Sequence, residues 1–229
     1  MMERKFKFAI DEYYHIYNRG VEKRVIFKDK NDYSRFVKIL YALNNKEPIT
    51  MEKIFKENRG KNIFLTKRKG DPLVNIGAYC LMPNHFHLLL KEVEEGGISK
   101  FLNKIQTSHS MFFNLKYKRR GRLFEGTFKA QHIDSESYYQ YLISYIHLNP
   151  VKVRFPEWES EENSNIDEIK KSLDAHSFSS YYDFFVGERP ESNLLDRKEF
   201  PDFEESDIDL LVMDYKKRRE ELEKERVDN

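Results

Sequence analysis

The sequence has little cysteine and no long apolar run, and both features narrow the classes of protein that it fits. With Cys80 as its single cysteine, the chain is not a disulfide-framed secreted domain, and a reducing compartment is expected. No stretch approaches the ~18 uninterrupted apolar residues of a membrane-spanning helix. Residues 1–10 are charged and lack the apolar core of a secretion signal. We therefore expect a cytoplasmic protein with no membrane partner.

Charge is distributed unevenly along the 229 residues, although the net charge is only +1. Residues 1–154 hold 29 Lys and Arg against 16 Asp and Glu, a net charge of +13, whereas residues 155–229 carry −12. A basic body indicates contact with a polyanion, and the acidic remainder is either a solvated cap or a competitor of that polyanion. We expect one domain at 1–154, followed by an acidic linker and a helical C-terminal extension at 155–229.

Hydrophobic periodicity and turn residues predict the order strand, helix, strand, strand, helix, strand, helix. The strands are predicted at 13–19, at 73–82, from 85 onward and at 127–133, and the helices at 31–43, 99–117 and 135–149. This order predicts an α+β fold of the ferredoxin-like split βαβ type, with a central antiparallel sheet and helices on one face. Residues 46–71 are predicted to be an irregular basic insertion, and a terminal helix is predicted at 207–226.

Two histidines one residue apart lie in an apolar segment that follows a Pro-Asn turn. On a strand, His85 and His87 share one face while Phe86 points into the core, because side chains alternate. Two imidazoles ~7 Å apart along a strand can converge on one metal ion. The alternative is that two histidines merely happen to sit on a strand, and the pair alone does not decide between these interpretations.

Tyr145 and Asn149 are four residues apart on the last predicted helix, so they share one helix face. The asparagine carbonyl oxygen is a hard metal ligand, and oxygen with imidazole nitrogen favours Mg²⁺ or Mn²⁺. A tyrosine hydroxyl can attack a phosphodiester and leave a covalent phosphotyrosine and a free 3′ hydroxyl. The alternative is a core tyrosine and a helix C-cap before Pro150, and helix spacing alone favours that interpretation.

Residues 116–129 hold six basic residues and one acid, with aromatic residues between the charges. This pattern is typical of a groove that binds single-stranded nucleic acid, although a charge run by itself is more often a solvated helix end. Its position between the histidine strand and the tyrosine helix favours DNA contact. The predicted DNA-binding residues are Arg19, Lys116, Lys118, Arg119, Arg120, Arg122 and Lys129.

Four segments, in the same order along residues 10–155, are similar to one known family. They are YHIYNRG (14–20), MPNHFHL (82–88), the stretch 113–129 with GRLFEGTFK at its end, and YIHLNPVK (145–152). On these motifs the chain resembles the REP-associated tyrosine transposases. These are single-tyrosine members of the HUH endonuclease superfamily and relatives of the small bacterial insertion-sequence transposases.

The resemblance implies a ferredoxin-like fold, a metal held by His85 and His87 with Asn149 as third ligand, and Tyr145 as the nucleophile. It implies cleavage and transfer of single-stranded DNA through a 5′-phosphotyrosine intermediate. The implied cofactor is Mg²⁺ or Mn²⁺, the implied partner is single-stranded or hairpin-forming repeat DNA, and a homodimer is compatible with it.

Three alternatives stay open at this point. A relative that has lost its mobility could bind hairpins of DNA or RNA without cutting them. A metal-dependent phosphodiesterase could use water as the nucleophile. A neighbouring tyrosine, Tyr138, Tyr139 or Tyr141, could replace Tyr145 if the helix were placed differently.

Overall fold

The computed structural model describes residues 7–66, 70–159, 165–203 and 207–227. Its strands are β1 (Tyr13–Arg19), β2 (Val74–Met82), β3 (His85–Glu92) and β4 (Lys129–His132). Its α-helices are α1 (Lys30–Ala42), α2 (Met51–Glu57), α3 (Gly97–Lys116), α4 (Glu136–Leu148), α5 (Val151–Arg154), α6 (Ile166–Asp174), α7 (Tyr181–Phe185) and α8 (Ile208–Val227). Within these ranges no helix is long and apolar enough to cross a membrane.

The four strands form one sheet in the order β2-β3-β1-β4, and every neighbouring pair is antiparallel. The chain runs from β1 through α1 to β2, and β3 occupies the place between these two strands. The second half repeats the pattern from β3 through α3 to β4, with β1 in between. Two interleaved βαβ units are the ferredoxin-like arrangement, so the predicted fold class is confirmed.

Helices α1 and α3 lie on one face of the sheet and form the main core with it, as predicted. Phe36 and Leu40 of α1 and Phe101 of α3 are buried in the same cluster as Ile16 of β1 and Phe86 of β3. The helix positions repeat every three to four residues and the strand positions every two, so each element buries one face. Removal of this apolar surface from water stabilises the fold by about 25 cal/mol per Å².

Backbone geometry at the helix starts explains where α1 and α3 begin. The Asp29 carboxylate accepts hydrogen bonds from the N–H groups of Asn31 and Asp32 at 3.0 and 3.1 Å, and so caps α1. Helix α3 begins at Gly97, two residues before the position that the sequence suggested. A Cβ atom on Gly97 would lie 2.2 Å from the carbonyl oxygen of Leu73, so the close packing of this corner requires glycine.

Helix α4 adds a layer on the opposite face of the sheet, whereas the sequence interpretation had placed all helices on one face. Its Leu142, Ile143 and Ile146 are buried in a second cluster with Cys80 of β2 and Leu89 of β3. These strand residues alternate with those that face α1 and α3, so both faces of the central strands are covered. The C-terminal end of α4 therefore lies over the face of β3 that carries the two histidines.

The insertion at 46–71 has more structure than its basic composition suggested. It contains α2 and a 3₁₀ turn, and it contributes Met51, Ile54, Ile63 and Phe64 to the main core. These apolar residues are too few and too widely spaced to produce a clear helical period in the sequence. The basic residues at 67–69 lie outside the described residues.

The C-terminal extension packs on the domain along its length. Residues 178–180 bond to the edge of β2, where the N–H of Leu81 donates to Phe178 O at 3.0 Å and the N–H of Ser180 donates to Tyr79 O at 2.9 Å. Within the stretch that the sequence assigned to an acidic linker, Trp158 is buried and α6 begins at Ile166. The apolar side chains of this stretch pack on α8 and on the end of α4.

Candidate active site

The two predicted histidines lie at the start of β3, on the face of the sheet that α4 covers. Phe86 between them is fully buried in the main core, whereas His85 is half-buried and His87 is buried on the opposite face. The two imidazole rings lie 5.0 Å apart, centroid to centroid, and are perpendicular to each other. Strand alternation thus brings the pair together as expected.

A third histidine, which the site prediction missed, joins them from the neighbouring strand. His15 of β1 is 6% exposed, and its Nε2 lies 2.8 Å from Nδ1 of His87, so one of these nitrogens donates to the other. The alternation of Tyr13, His15 and Tyr17 marks the face of β1 to which His15 belongs. Its proximity to His87 depends on the pairing of β1 with β3, which no local pattern reveals.

Tyr145 and Asn149 reach the same place from the end of α4. The Tyr145 ring centroid lies 5.3 Å from that of His87 and 6.0 Å from that of His15. Asn149 ends the helix, is 4% exposed, and hydrogen-bonds through its side chain with both His85 and Tyr145. The four residues predicted from two distant motifs are therefore in mutual contact.

Burial sets the protonation states in this cluster. Burial lowers the pKa of His15 to about 3 and also lowers the pKa values of His85 and His87. Neutral imidazoles at neutral pH keep a nitrogen lone pair that can bind a cation. Burial raises the pKa of Tyr145 to about 12, although its hydrogen bond with Asn149 acts in the opposite direction. The phenol therefore keeps its proton unless another group compensates the charge of the phenolate.

The donor set of this cluster fits a small hard cation. Nδ1 of His85 lies 2.6 Å from Oδ1 of Asn84, and the Asn84 amide nitrogen donates to Lys23 O. The Asn84 oxygen therefore accepts the Nδ1 hydrogen, and Nε2 of His85 keeps its lone pair. With His87 and the carbonyl oxygen of Asn149, two nitrogens and one oxygen are available, a set that Mg²⁺ or Mn²⁺ accepts. Within the described residues, no group of three or more His, Cys, Asp or Glu side chains has the geometry of a metal site, so a cation here would depend on the Asn149 oxygen as its third protein ligand.

Two of the predicted DNA-binding residues lie next to this cluster, on the neighbouring strands β1 and β4. Arg19 pairs with His85 across β1 and β3, so both side chains project from the same face, and Lys129 of β4 pairs with Tyr17 of β1 in the same way. The Arg19 guanidinium also forms an ion pair with Glu125. Phosphate groups over the histidine face would therefore have two cations beside them, both on the β1 and β4 side of β3.

The basic run itself divides into structural and exposed residues. The ammonium of Lys116 bonds to Asp32 at 2.6 Å, and Arg119 donates to Asn114 Oδ1 at 2.6 Å, so both hold the loop after α3. The three remaining side chains are exposed, and no ion pair or hydrogen bond of theirs occurs within the described part of the chain. They are Lys118, Arg120 and Arg122.

An open groove of about 870 Å³ runs between α3 and the loop at 121–127. Most of its lining side chains carry amide, hydroxyl or guanidinium groups, which can bond to the edges of unpaired bases. They include Asn103, Gln106, Thr107, Ser110, Asn114, Arg122 and Thr127. Asn18, next to Arg19 on β1, donates to Gln106 Oε1 at 2.9 Å, so the groove begins beside the strand that carries Arg19.

The chain is similar in structure to two solved proteins and in sequence to one protein family. A REP-associated tyrosine transposase bound to a REP hairpin is 13% identical, with a TM-score of 0.49 over 80% of this chain and 85% of that one. A protein of Deinococcus radiodurans R1 that is assigned as a transposase is 15% identical, with a TM-score of 0.35 over 64% and 95%. No curated protein sequence matches. The family model of IS200-like transposases matches residues 31–149, from the start of α1 to Asn149 and over half of the chain, and the chain therefore belongs to the IS200-like transposases.

Proposed function

We propose that the protein is a metal-dependent endonuclease and strand transferase that acts on single-stranded, hairpin-forming DNA through a 5′-phosphotyrosine intermediate. One observation carries the proposal. Tyr145 and Asn149 at the end of α4 contact His85 and His87 at the start of β3. A nucleophile and two kinds of cation ligand thereby meet between β3 and the C-terminal end of α4.

The phenol of Tyr145 supplies the nucleophile. Its Oη forms a bond to phosphorus, the bond from phosphorus to the 3′ oxygen breaks, the phenol proton passes to water, and the 3′ oxygen takes up a proton. The enzyme keeps the 5′ phosphate as a tyrosine ester, so the energy of the broken bond is stored. A 3′ hydroxyl can reverse the step, which supports rejoining as well as cutting.

The groups that would hold a divalent cation are the imidazoles of His85 and His87 and the carbonyl oxygen of Asn149. A bound Mg²⁺ or Mn²⁺ would offset the negative charge that develops on the phosphate oxygens. His15 fixes the ring of His87 through the 2.8 Å hydrogen bond between Nε2 and Nδ1, as outer partners of ligand imidazoles commonly do.

The positive surface around the site supports a nucleic-acid substrate. Arg19 and Lys129 lie next to the histidine face on the neighbouring strands β1 and β4, and Arg120 and Arg122 lie exposed after α3. A single strand could pass from the polar groove to the site along these cations, with its bases read by amide groups and its phosphates by Arg and Lys. The net charge of +13 on residues 1–154 favours the same class of partner.

A covalent adduct tests the proposal. Purified protein, Mn²⁺ and a 5′-hairpin, 3′-labelled single strand should give a protein band that carries the label on a denaturing gel. Tyr145→Phe should abolish this band while the affinity for DNA is kept. Tyr141→Phe is the matched control, because Tyr141 lies one turn earlier on α4 with its ring stacked at 6.1 Å from that of Tyr145.

The same assay distinguishes the proposed function from the alternatives that the sequence left open. Cleavage without an adduct would favour water as the nucleophile. Binding without cleavage, at an affinity that survives the loss of both His85 and His87, would favour a binding module. Cleavage by Tyr145→Phe would remove Tyr145 from the mechanism.

A further inference from the structure

Lys152 lies beside the candidate nucleophile and has no role in the proposed function so far. It follows Asn149 by three residues, on α5, and its Nζ lies 5.3 Å from the centroid of the Tyr145 ring. The pKa of His87 is lowered first by burial, then by His15 and His85, and then by the positive charge of Lys152. The same charge also lowers the pKa of His85. One ammonium group is therefore within electrostatic reach of the tyrosine and of both ligand histidines.

The C-terminal extension holds this lysine in place. Nζ of Lys152 lies 2.9 Å from Oε1 of Glu159, and Oε2 of the same carboxylate lies 3.1 Å from Nη1 of Arg219 on α8. The hydroxyl of Tyr215, also on α8, donates to Glu159. The Tyr215 ring stacks on Trp158 at 5.4 Å, which anchors the segment that carries Glu159.

These contacts differ from an ordinary surface ion pair. The Glu159 side chain is only 14% exposed and has three partners, whereas exposed Lys–carboxylate pairs usually have one partner and contribute little. The Lys152 side chain is 36% exposed and its Nζ bonds to Glu159, so the ammonium is held by a carboxylate without the side chain being closed off from solvent. A phosphate that approached Tyr145 from solvent could accept a further hydrogen bond from it.

We propose that Lys152 is a catalytic residue that donates a hydrogen bond to a non-bridging oxygen of the scissile phosphate, and that Glu159 is its positioning residue. The proposal rests on the proposed function, because it concerns the reaction of Tyr145. It gives the C-terminal extension a part in the active site. The ammonium keeps its three protons throughout, and the bonds that form and break are those of the tyrosine attack described above.

The first experiment measures the rate of adduct formation in a single turnover at saturating hairpin DNA with Mn²⁺. Lys152→Met should slow the step about 100-fold, which is the usual loss when one preorganised donor to a reacting oxyanion is removed. Lys152→Arg should restore most of the rate, since it keeps the charge and can reach Glu159. The matched control is Lys170→Met, which removes an exposed lysine paired with Asp174 on α6.

A sulfur substitution distinguishes contact with the phosphate from a structural role. Replacement of one non-bridging oxygen by sulfur weakens a hydrogen bond to that position, so the wild type should cleave one of the two diastereomers more slowly. Lys152→Met should no longer make this distinction. If the sulfur effect is the same in both proteins, Lys152 does not contact the phosphate and the proposal fails.

Glu159→Gln tests the positioning role. It keeps an acceptor for Tyr215 but removes the charge that holds Lys152, so the rate of adduct formation should fall while DNA affinity stays at the wild-type value. The rate is measured at a temperature at which circular dichroism shows the variant to be fully folded, because the loss of a largely buried charge also lowers stability. Asp174→Asn is the control, with no expected change in rate. Wild-type rates for Glu159→Gln would overturn the positioning role.

The outcomes also separate this inference from the proposed function. If the wild type forms an adduct that Tyr145→Phe abolishes, but Lys152→Met forms it at the wild-type rate, only the inference about Lys152 is overturned. If the wild type forms no adduct, both fail together.

Discussion

Among single side chains, the basic residues after α3 have two different roles. Lys116 has a structural role, because its ammonium bonds to both carboxylate oxygens of Asp29 and to the fully buried carboxylate of Asp32. Arg120 and Arg122 project into solvent, and their guanidinium groups have no ion pair within the described part of the chain. Only the second kind is available to phosphates.

The double variant Arg120→Ala with Arg122→Ala should therefore weaken binding of single-stranded DNA and flatten its salt dependence. Each lost phosphate contact lowers the slope of log K against log salt by about 0.7 for a single strand. Binding titrations at several salt concentrations measure the slope. Lys116→Ala is the control and should reduce stability while it leaves the slope unchanged. An unchanged slope in the double variant would remove these arginines from the interface.

The site residues also differ in how far the sequence could reveal them. The common face of His85 and His87 follows from strand alternation, and the pairing of Tyr145 with Asn149 follows from the helix period, so both are local properties. The place of His15 depends on which strand lies beside β3, and the place of Lys152 depends on Glu159 and α8. Such long-range contacts leave no periodic signal in the sequence.

At the scale of elements, the segment after α6 closes the open edge of β2. Residues 178–180 form backbone hydrogen bonds with that edge. Arg189 holds the segment in place, because its Nη2 lies 2.8 Å from Oδ2 of Asp183 and 2.6 Å from Ser179 O. The Asp183 side chain is fully buried. Because an uncovered edge strand invites pairing with other chains, this segment protects the sheet as well as stabilising it.

Arg189→Met should lower the free energy of unfolding by about 3 kcal/mol or more, because it leaves a buried carboxylate without its cation. Urea unfolding followed by circular dichroism measures the change. The exposed pair of Lys170 and Asp174 is the comparison, and Lys170→Met should cost less than about 1 kcal/mol. Equal losses in the two variants would mean that the buried ion pair contributes no more than a surface pair.

Element order was predictable because periodicity and turn residues are strong in β1, β2, β3, α1, α3 and α4. The sequence interpretation placed all helices on one face, and α4 instead covers the other, since Leu142 and Ile146 would suit either face of the sheet. Helix α2 was missed because Met51 and Ile54 lie among charged residues and are buried only by the rest of the fold. The layer of α4 and the existence of α2 thus depend on contacts with the rest of the fold, which local sequence patterns do not show.

At the scale of the whole molecule, acidic groups of the extension pair with lysines of the basic body. Glu199 lies 3.2 Å from Lys91 and Glu159 lies 2.9 Å from Lys152. The charge division between residues 1–154 and 155–229 predicted a polyanion partner and left open whether the acidic part is a solvated cap or a competitor of that partner. These two ion pairs show acidic side chains of the extension in contact with the body. A homodimer stays a prediction.

Several buried histidines make the stability of the whole molecule dependent on pH. Burial lowers the pKa of His147 to about 3 and that of His109 to about 4, so both are neutral in the folded state across most of the acid range. In the unfolded chain they bind protons near pH 6.5. The unfolded state therefore gains protons first, and stability present above pH 6.5 is lost as the pH falls toward 3.

His147→Gln should reduce this pH dependence. Each buried imidazole contributes a slope of at most about 1.4 kcal/mol per pH unit between its two pKa values. Urea unfolding at intervals from pH 6 to pH 5 should give a smaller loss of stability in the variant than in the wild type. Identical slopes would mean that His147 takes up no extra proton on unfolding.

The most direct test of the proposed chemistry is to identify the residue that becomes attached to DNA. The adduct formed with Mn²⁺ and a hairpin substrate is digested with protease and nuclease, and the modified peptide is sequenced by mass spectrometry. The account predicts a nucleotide joined through its 5′ phosphate to Tyr145 and to no other residue. Attachment at Tyr138, Tyr139 or Tyr141, or cleaved DNA with no modified peptide, would contradict it.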